Sequence, residues 1–151
     1  MDRVYVKKLN PNAILPVRAN PGDAGADVFY AGENIVVIEP MCSVVLGTGL
    51  QIATPLGYVT EVKNRSGMAA KKSLIVGACI IDSGYEGEVK INLHNIGKDA
   101  KVISPGDKIA QIVVYPVQKV AFEELSEEEG LYSKTNTNSS RGAGGFGSTG
   151  F

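Results

Sequence analysis

The sequence predicts an all-β fold with one short helix, and three observations predict it. Apolar residues alternate with polar ones in short runs, the period of a strand with one face buried. Turn-forming clusters break those runs at Asn20-Pro21-Gly22-Asp23, Asp82-Ser83-Gly84 and Ser104-Pro105-Gly106-Asp107. Only Ser66–Ser73 favours a helix, and it is about two turns long. Many short strands with such spacing read as a sandwich or barrel rather than as βαβ units.

In chain order the strand signals are Val4/Val6, Ile35/Val37, Val44/Leu46 and Val59 before the helix. After it come Leu74/Val76, Val89/Ile91/Leu93 and Ile109/Ile112/Val114. The clearest is Gly87–Asn95, where Val89, Ile91 and Leu93 point one way and Lys90, Asn92 and His94 the other. Val76–Ile81 reads as a hydrophobic strand running into a glycine-flanked turn. Beyond Val120 the character changes. Glu123–Glu129 is acidic, Ser133–Ser140 is polar without apolar periodicity, and Arg141–Phe151 holds five of the eighteen glycines. The expected organisation is a β-rich core over residues 1–132 and a flexible C-terminal arm over 133–151.

Composition removes several function classes. At 151 residues the chain has room for one domain, and 44% hydrophobic residues suffice for a core. Fifteen basic against sixteen acidic residues, a net charge of -1, argue against an extended nucleic-acid groove. No apolar run approaches the roughly 20 residues of a membrane span, and the charged start lacks a signal-peptide core. A cytoplasmic or unspecified intracellular protein without membrane contact is expected. Cys42 and Cys79 lack CxxC spacing, which disfavours a disulfide scaffold or zinc ribbon. His94, the sole histidine, falls on the polar face of a strand, which leaves a metal cluster or a Ser-His-Asp triad little to draw on.

Five stretches carry possible chemistry. In Pro21–Phe29, Asp23 reads as a turn-former, whereas Asp27 opens a β-run where Asp is depleted and so suits a ligand or an ion pair. Arg65-Ser66-Gly67 stands where a strand meets the helix, with Ser66 either a phosphate binder or a simple N-cap. Asp82, at the end of an apolar run, is either turn chemistry or a base tuned by a partly dry setting. Gln111 is a polar residue among Ile, Ala and Val, and a buried amide needs partners from backbone or ligand. The arm sets Arg141, Phe146, Ser148 and Thr149 among glycines. Its N–H groups, guanidinium and hydroxyls can wrap a phosphate, and Phe146 needs a nucleobase or a protein surface to stack on.

Taken together and in order, these stretches resemble the five motifs of the trimeric dUTPase family. They are Ala24-Gly25-Ala26-Asp27-Val28, Arg65-Ser66-Gly67, Ile80–Gly87, Gly106–Gln111 and Arg141–Gly150. The resemblance implies a jelly-roll-like subunit in a homotrimer with shared active sites, and Mg2+-assisted hydrolysis of dUTP to dUMP and pyrophosphate. By that resemblance Asp82 deprotonates the attacking water, and Tyr85 packs on the deoxyribose and excludes a 2′-hydroxyl. Backbone groups of Cys79 and Ile81 read uracil. Arg65, Ser66, Gly67 and Gln111 hold phosphate oxygens, and Asp27 meets the metal through water. Arg141, Ser148 and Thr149 close on the γ-phosphate while Phe146 stacks on uracil, and Gly147 is a further substrate-binding position. Two departures stand out: Cys79 replaces a usual Gly, and Gly84 replaces a common acidic residue. The related dCTP deaminases typically lack this glycine-rich arm.

Overall fold

The structure, a computed structural model, describes residues 3–135, 137–138 and 142–144. Among these, eleven strands and one helix follow in chain order. They are β1 (Tyr5–Lys8), β2 (Ala26–Phe29), β3 (Val36–Ile38), β4 (Ser43–Gly47), β5 (Leu50–Ala53), β6 (Tyr58–Lys63), α1 (Ser66–Lys72), β7 (Leu74–Val76), β8 (Ile80–Ile81), β9 (Lys90–Asn95), β10 (Lys101–Ile103) and β11 (Lys108–Pro116). Mostly β with one short helix is the architecture that the sequence predicts.

All strand pairings are antiparallel. The largest sheet runs β2-β11-β6-β8, a second runs β4-β9-β7, and β1-β5 and β3-β10 form two-stranded ribbons. The inward faces of these sheets share one apolar cluster that includes Val28, Leu46, Leu50, Ile91, Leu93, Ile103 and Ile109. Strand β9 shows the predicted alternation, with Val89, Ile91 and Leu93 buried. The ribbon strands β5 and β10 lie outside the predicted strand signals, although Leu50 and Ile52 alternate as a half-buried strand requires.

Strand β11 carries the largest sheet, because it pairs with β2 on one side and β6 on the other. Its register on β2 shifts between Lys108 and Ala110. At that shift two successive residues, Ile109 and Ala110, are both buried, where a regular strand would alternate. A bulge of this kind re-aims side chains beside it.

Three sequence expectations need correction. The helix begins at Ser66, but the cap position belongs to Arg65, which is extended and makes no side-chain cap bond. Ser73 is not helical: it caps the C-terminus in the left-handed region, donating its N–H to the Met68 carbonyl. The expected continuous strand over 76–81 is split into β7 and β8. Gly77 closes the β7 pairing with a last backbone bond, its amide to the Asn92 carbonyl at 2.9 Å, and a Cβ there would overlap the side chains of Asn92 and His94, which are hydrogen-bonded to one another at 2.7 Å.

The chain divides into two compact units, up to Lys119 and from Val120 onward. In the second, Lys134 bridges Glu123 at 3.2 Å and Glu129 at 3.1 Å. No helix among the described residues is long and apolar enough to cross a membrane.

Asn95 continues the inward face of β9 and is 1% exposed. Its amide donates to the Ile38 and Asp99 carbonyls, both at 2.8 Å, and its oxygen accepts from the Gly97 amide at 3.0 Å. Replacing it leaves three backbone groups without this partner, the buried Ile38 carbonyl and the partly buried groups of Gly97 and Asp99. Asn95→Ala is therefore expected to lower the unfolding free energy by about 2–4 kcal/mol, read from the urea midpoint at unchanged m-value.

Candidate active site

Strand pairing places Asp27 of β2 opposite Gln111 of β11. The backbone of Asp27 is fixed from the other side by a bridge to Val17, with bonds of 3.1 and 2.8 Å. Its carboxylate is therefore delivered to a defined point at the sheet's edge. There the Arg65 Nε donates to Oδ1 at 2.7 Å, and the Lys108 Nζ lies 2.9 Å from Oδ2. The Asp27 side chain is only 13% exposed. Burial pushes its carboxyl upward, but the hydrogen bonds and charges of Lys108 and Arg65 outweigh burial and hold it below the usual carboxylate value.

Gln111 joins the same cluster from the other side. Its amide donates to the Asn64 carbonyl at 2.7 Å, next to Arg65 in the chain. The side chain lies so close over Gly25 that a Cβ there would overlap its amide. Asn64 in turn accepts from the Val76 amide at 2.7 Å. Gly25 and Asp27, Asn64 and Arg65, Lys108 and Gln111 thus converge from three separate stretches of sequence. Beside them is a groove of about 350 Å³ whose polar lining is Arg65, Lys71, Lys72, Lys108 and Asp107. Asp107 accepts from the Ser104 amide at 2.8 Å, closing its own turn. Four cations line the groove against Asp107, and Asp27 pairs with two of them, so the excess of positive charge suits a short polyanion.

A second cluster stands at the turn after β8. Asp82 opens that turn, with the Tyr85 amide donating to its carbonyl at 3.2 Å. Gly84 has φ of 93°, a conformation that favours glycine. The glycine at this position, noted above as a departure, therefore suits the turn as this chain builds it. The Tyr85 hydroxyl donates to the Glu88 carbonyl at 3.0 Å. Asp82 and Tyr85 share a depression of about 170 Å³ with Ile80, Ile81 and Lys90. Within this chain Asp82 is exposed, so the partly dry setting expected for it is not formed by its own hairpin.

The remaining predicted residues are placed as follows. The Cys79 carbonyl accepts from the Val62 amide at 2.7 Å, and its thiol faces the Gly77 carbonyl at 3.4 Å. Ile81 is buried and pairs with Thr60. Ser66 and Gly67 begin the helix, and Gly67 lines the cationic groove. Arg141, Phe146, Gly147, Ser148 and Thr149 lie outside the described residues. Among those described, no side-chain hydrogen bond or ion pair joins the Asp27 cluster to Asp82 or Tyr85. Sequence reasoning missed Lys108 and Asn64. The signal for Lys108 was the irregular Ile109-to-Ile112 spacing, which marks the bulge; Asn64 meets Gln111 through its backbone carbonyl and Val76 through its side chain, and its residue type gave no signal of either.

The sequence matches the dUTPase family over residues 11–150. The chain belongs to the dUTPase family. It is 43% identical to the deoxyuridine 5′-triphosphate nucleotidohydrolase of Clostridium acetobutylicum, covering 99% of this chain and 98% of that one. It is 42% identical to the enzyme of the same name from Thermobifida fusca, over 98% of this chain and 79% of that one. Among solved structures, the dUTPase of Staphylococcus bacteriophage 80alpha with dUpNHpp superposes with a TM-score of 0.86 at 30% identity, each chain covered in full. A dUTPase of phage phi11 of S. aureus, described with a structural Mg(II) ion, has a TM-score of 0.77 at 30% identity, over 85% of this chain and all of that one. In this dUTPase-family chain, the residues joined around Asp27 belong to motifs that are remote in sequence.

The double ion pair carries a pH signature. Because the folded Asp27 carboxyl titrates below its ordinary value of 3.8, its contribution is complete above that value. It is lost as pH falls through the lower, folded value. Asp27→Asn should destabilise by about 1–3 kcal/mol at neutral pH. In urea unfolding, that deficit should stay constant down to about pH 5 and shrink below the ordinary carboxylate range.

Proposed function

We propose that the chain hydrolyses dUTP to dUMP and pyrophosphate, keeping uracil out of DNA and supplying dUMP for dTMP synthesis. The observation that carries this reading is the cationic groove beside Asp27, built from the motifs that the resemblance assigns to phosphate binding. Arg65, Ser66, Gly67 and Gln111 hold phosphate oxygens, and Lys108 joins them. Asp27 fixes the heads of Arg65 and Lys108, so two donors meet the triphosphate already oriented.

The described residues hold no group of three His, Cys, Asp or Glu that could cage a metal. Both Asp27 oxygens already carry a cationic partner, but each keeps a further lone pair for a water. This donor set fits a Mg2+ that arrives on the triphosphate with its own waters and is met by Asp27 through one of them. When bound, such an ion neutralises charge on the phosphate oxygens.

Asp82 accepts a proton from the water that attacks the α-phosphorus, and the bond from that phosphorus to the bridging oxygen of the β-phosphate breaks. Tyr85 packs on the deoxyribose where a 2′-hydroxyl would stand. The backbone around Cys79 and Ile81 reads uracil. Phe146 stacks on the base, and Arg141, Ser148 and Thr149 close on the γ-phosphate from the arm of residues 133–151, where Gly147 is a further substrate-binding position. The core over 1–132 is a jelly-roll-like subunit of a homotrimer that works inside the cell.

The separation of the two clusters supports a site shared between subunits. The phosphate groove of one chain faces the Asp82 hairpin of another, which also supplies the dry surroundings that Asp82 lacks in its own chain.

Two measurements test the reading. Asp82→Asn keeps the shape of the turn but cannot accept the proton, so kcat for dUTP should fall by roughly 10²–10⁴ with KM little changed. A normally folded variant with near-original kcat would remove Asp82 from the chemistry. For the shared site, chains carrying Asp82→Asn and chains carrying Arg65→Ala are unfolded together in equal amounts and reassembled. About a quarter of the sites in closed trimers should then combine both intact residues. Activity no higher than that of the separate variants, with mixed trimers confirmed by mass, would place both clusters in one chain's site.

A further inference from the structure

Two glycines flank Tyr85, and they are there for different reasons. Gly84 is required by its backbone, as its positive φ shows. Gly87 is not among the glycines with positive φ, so its conformation is open to other residues. What excludes a side chain there is the tyrosine ring. A Cβ built on Gly87 would lie 2.9 Å from Cε2 of Tyr85 and closer still to Cζ and the hydroxyl oxygen. Its three nearest atoms all belong to that one side chain.

The ring is held at three points. Its amide is bonded to the Asp82 carbonyl, its hydroxyl to the Glu88 carbonyl, and its edge rests on the bare Cα of Gly87. Glu88 is itself anchored, since its carboxylate accepts from the Gly49 amide at 2.8 Å. The next residue, Val89, is bonded through its amide to Leu50 at 2.7 Å and through its carbonyl to the Thr48 hydroxyl at 2.6 Å. The acceptor that fixes the phenol is therefore tied to the core. With 49% of Tyr85 exposed, the ring retains an open side for a ligand while its other side is clamped.

We infer that Gly87 is a positioning residue for sugar selection: its missing side chain lets Tyr85 lie at the height where a 2′-hydroxyl does not fit. The inference rests on the proposed role of Tyr85 against the deoxyribose and adds the device that sets the ring's position. A methyl group at residue 87 would lift the ring from its seat and break the bond to Glu88. A displaced ring then yields to the extra hydroxyl of a ribonucleotide.

The test compares four proteins: the original chain, Gly87→Ala, Tyr85→Ala and the double variant. The kcat/KM for UTP relative to dUTP is read in each, because a merely structural defect lowers both rates without changing their ratio. Gly87→Ala should raise the ratio by about tenfold. In the Tyr85→Ala background the same substitution should add nothing, since the ring it displaces is gone. An unchanged ratio in Gly87→Ala, or an equal rise in both backgrounds, overturns the role of Gly87 while leaving that of Tyr85 intact. An unchanged ratio in Tyr85→Ala instead overturns the reading of Tyr85 and this inference with it. If Gly87→Ala fails to fold, removing the ring in the double variant should restore folding. A double variant that also fails would place the clash elsewhere and overturn the inference.

Discussion

The candidate site depends on one carboxylate shared by two cations. Asp27 is nearly buried, and a charge so placed persists only when paired. Arg65 and Lys108 supply the pairing, and each is presented by a different device. Arg65 stands in the extended cap position before α1. Lys108 stands at a bulge that re-aims it across β2. The carboxylate thus orients both heads at the mouth of the groove, where free side chains of that length would otherwise sample many rotamers.

That arrangement separates local from global electrostatics. The chain is almost neutral, yet the groove lining carries four cations and one acid that closes its own turn. Total charge therefore speaks against an extended polyanion such as a nucleic acid without speaking against a short one. A triphosphate covers a few ångströms and needs concentrated charge rather than a long basic face.

The sequence made the fold class legible because alternation and turn chemistry are local signals. Strand β9 could be read residue by residue, and the three turn clusters each close with the expected backbone bond from residue i+3 to i. Other features required tertiary information. Nothing local shows that Gly77 packs bare against Asn92 and His94, at the point where one apolar run divides into two strands. The short ribbon strands β5 and β10 hold few residues for a period to repeat. In the site, the types of Asp27, Arg65, Asp82 and Gln111 were informative by themselves. Lys108 was hidden because a lysine beside a turn is usually solvated, and only the bulge gives it a partner. Asn64 meets Gln111 through its backbone carbonyl, which every residue possesses, and only the fold brings its side chain to the Val76 amide.

The bulged strand β11 has a consequence for the order of folding. Its partners β2 and β6 precede it by long stretches of chain, and such pairings form only after large loops close. Until then Asp27 and Arg65 have no Lys108 to complete them, and Gln111 cannot reach Asn64. A nascent chain that has emerged as far as α1 carries four of the six cluster residues without the strand that joins them. The phosphate groove is therefore among the last features to form, and its completion coincides with closure of the core rather than with any local element.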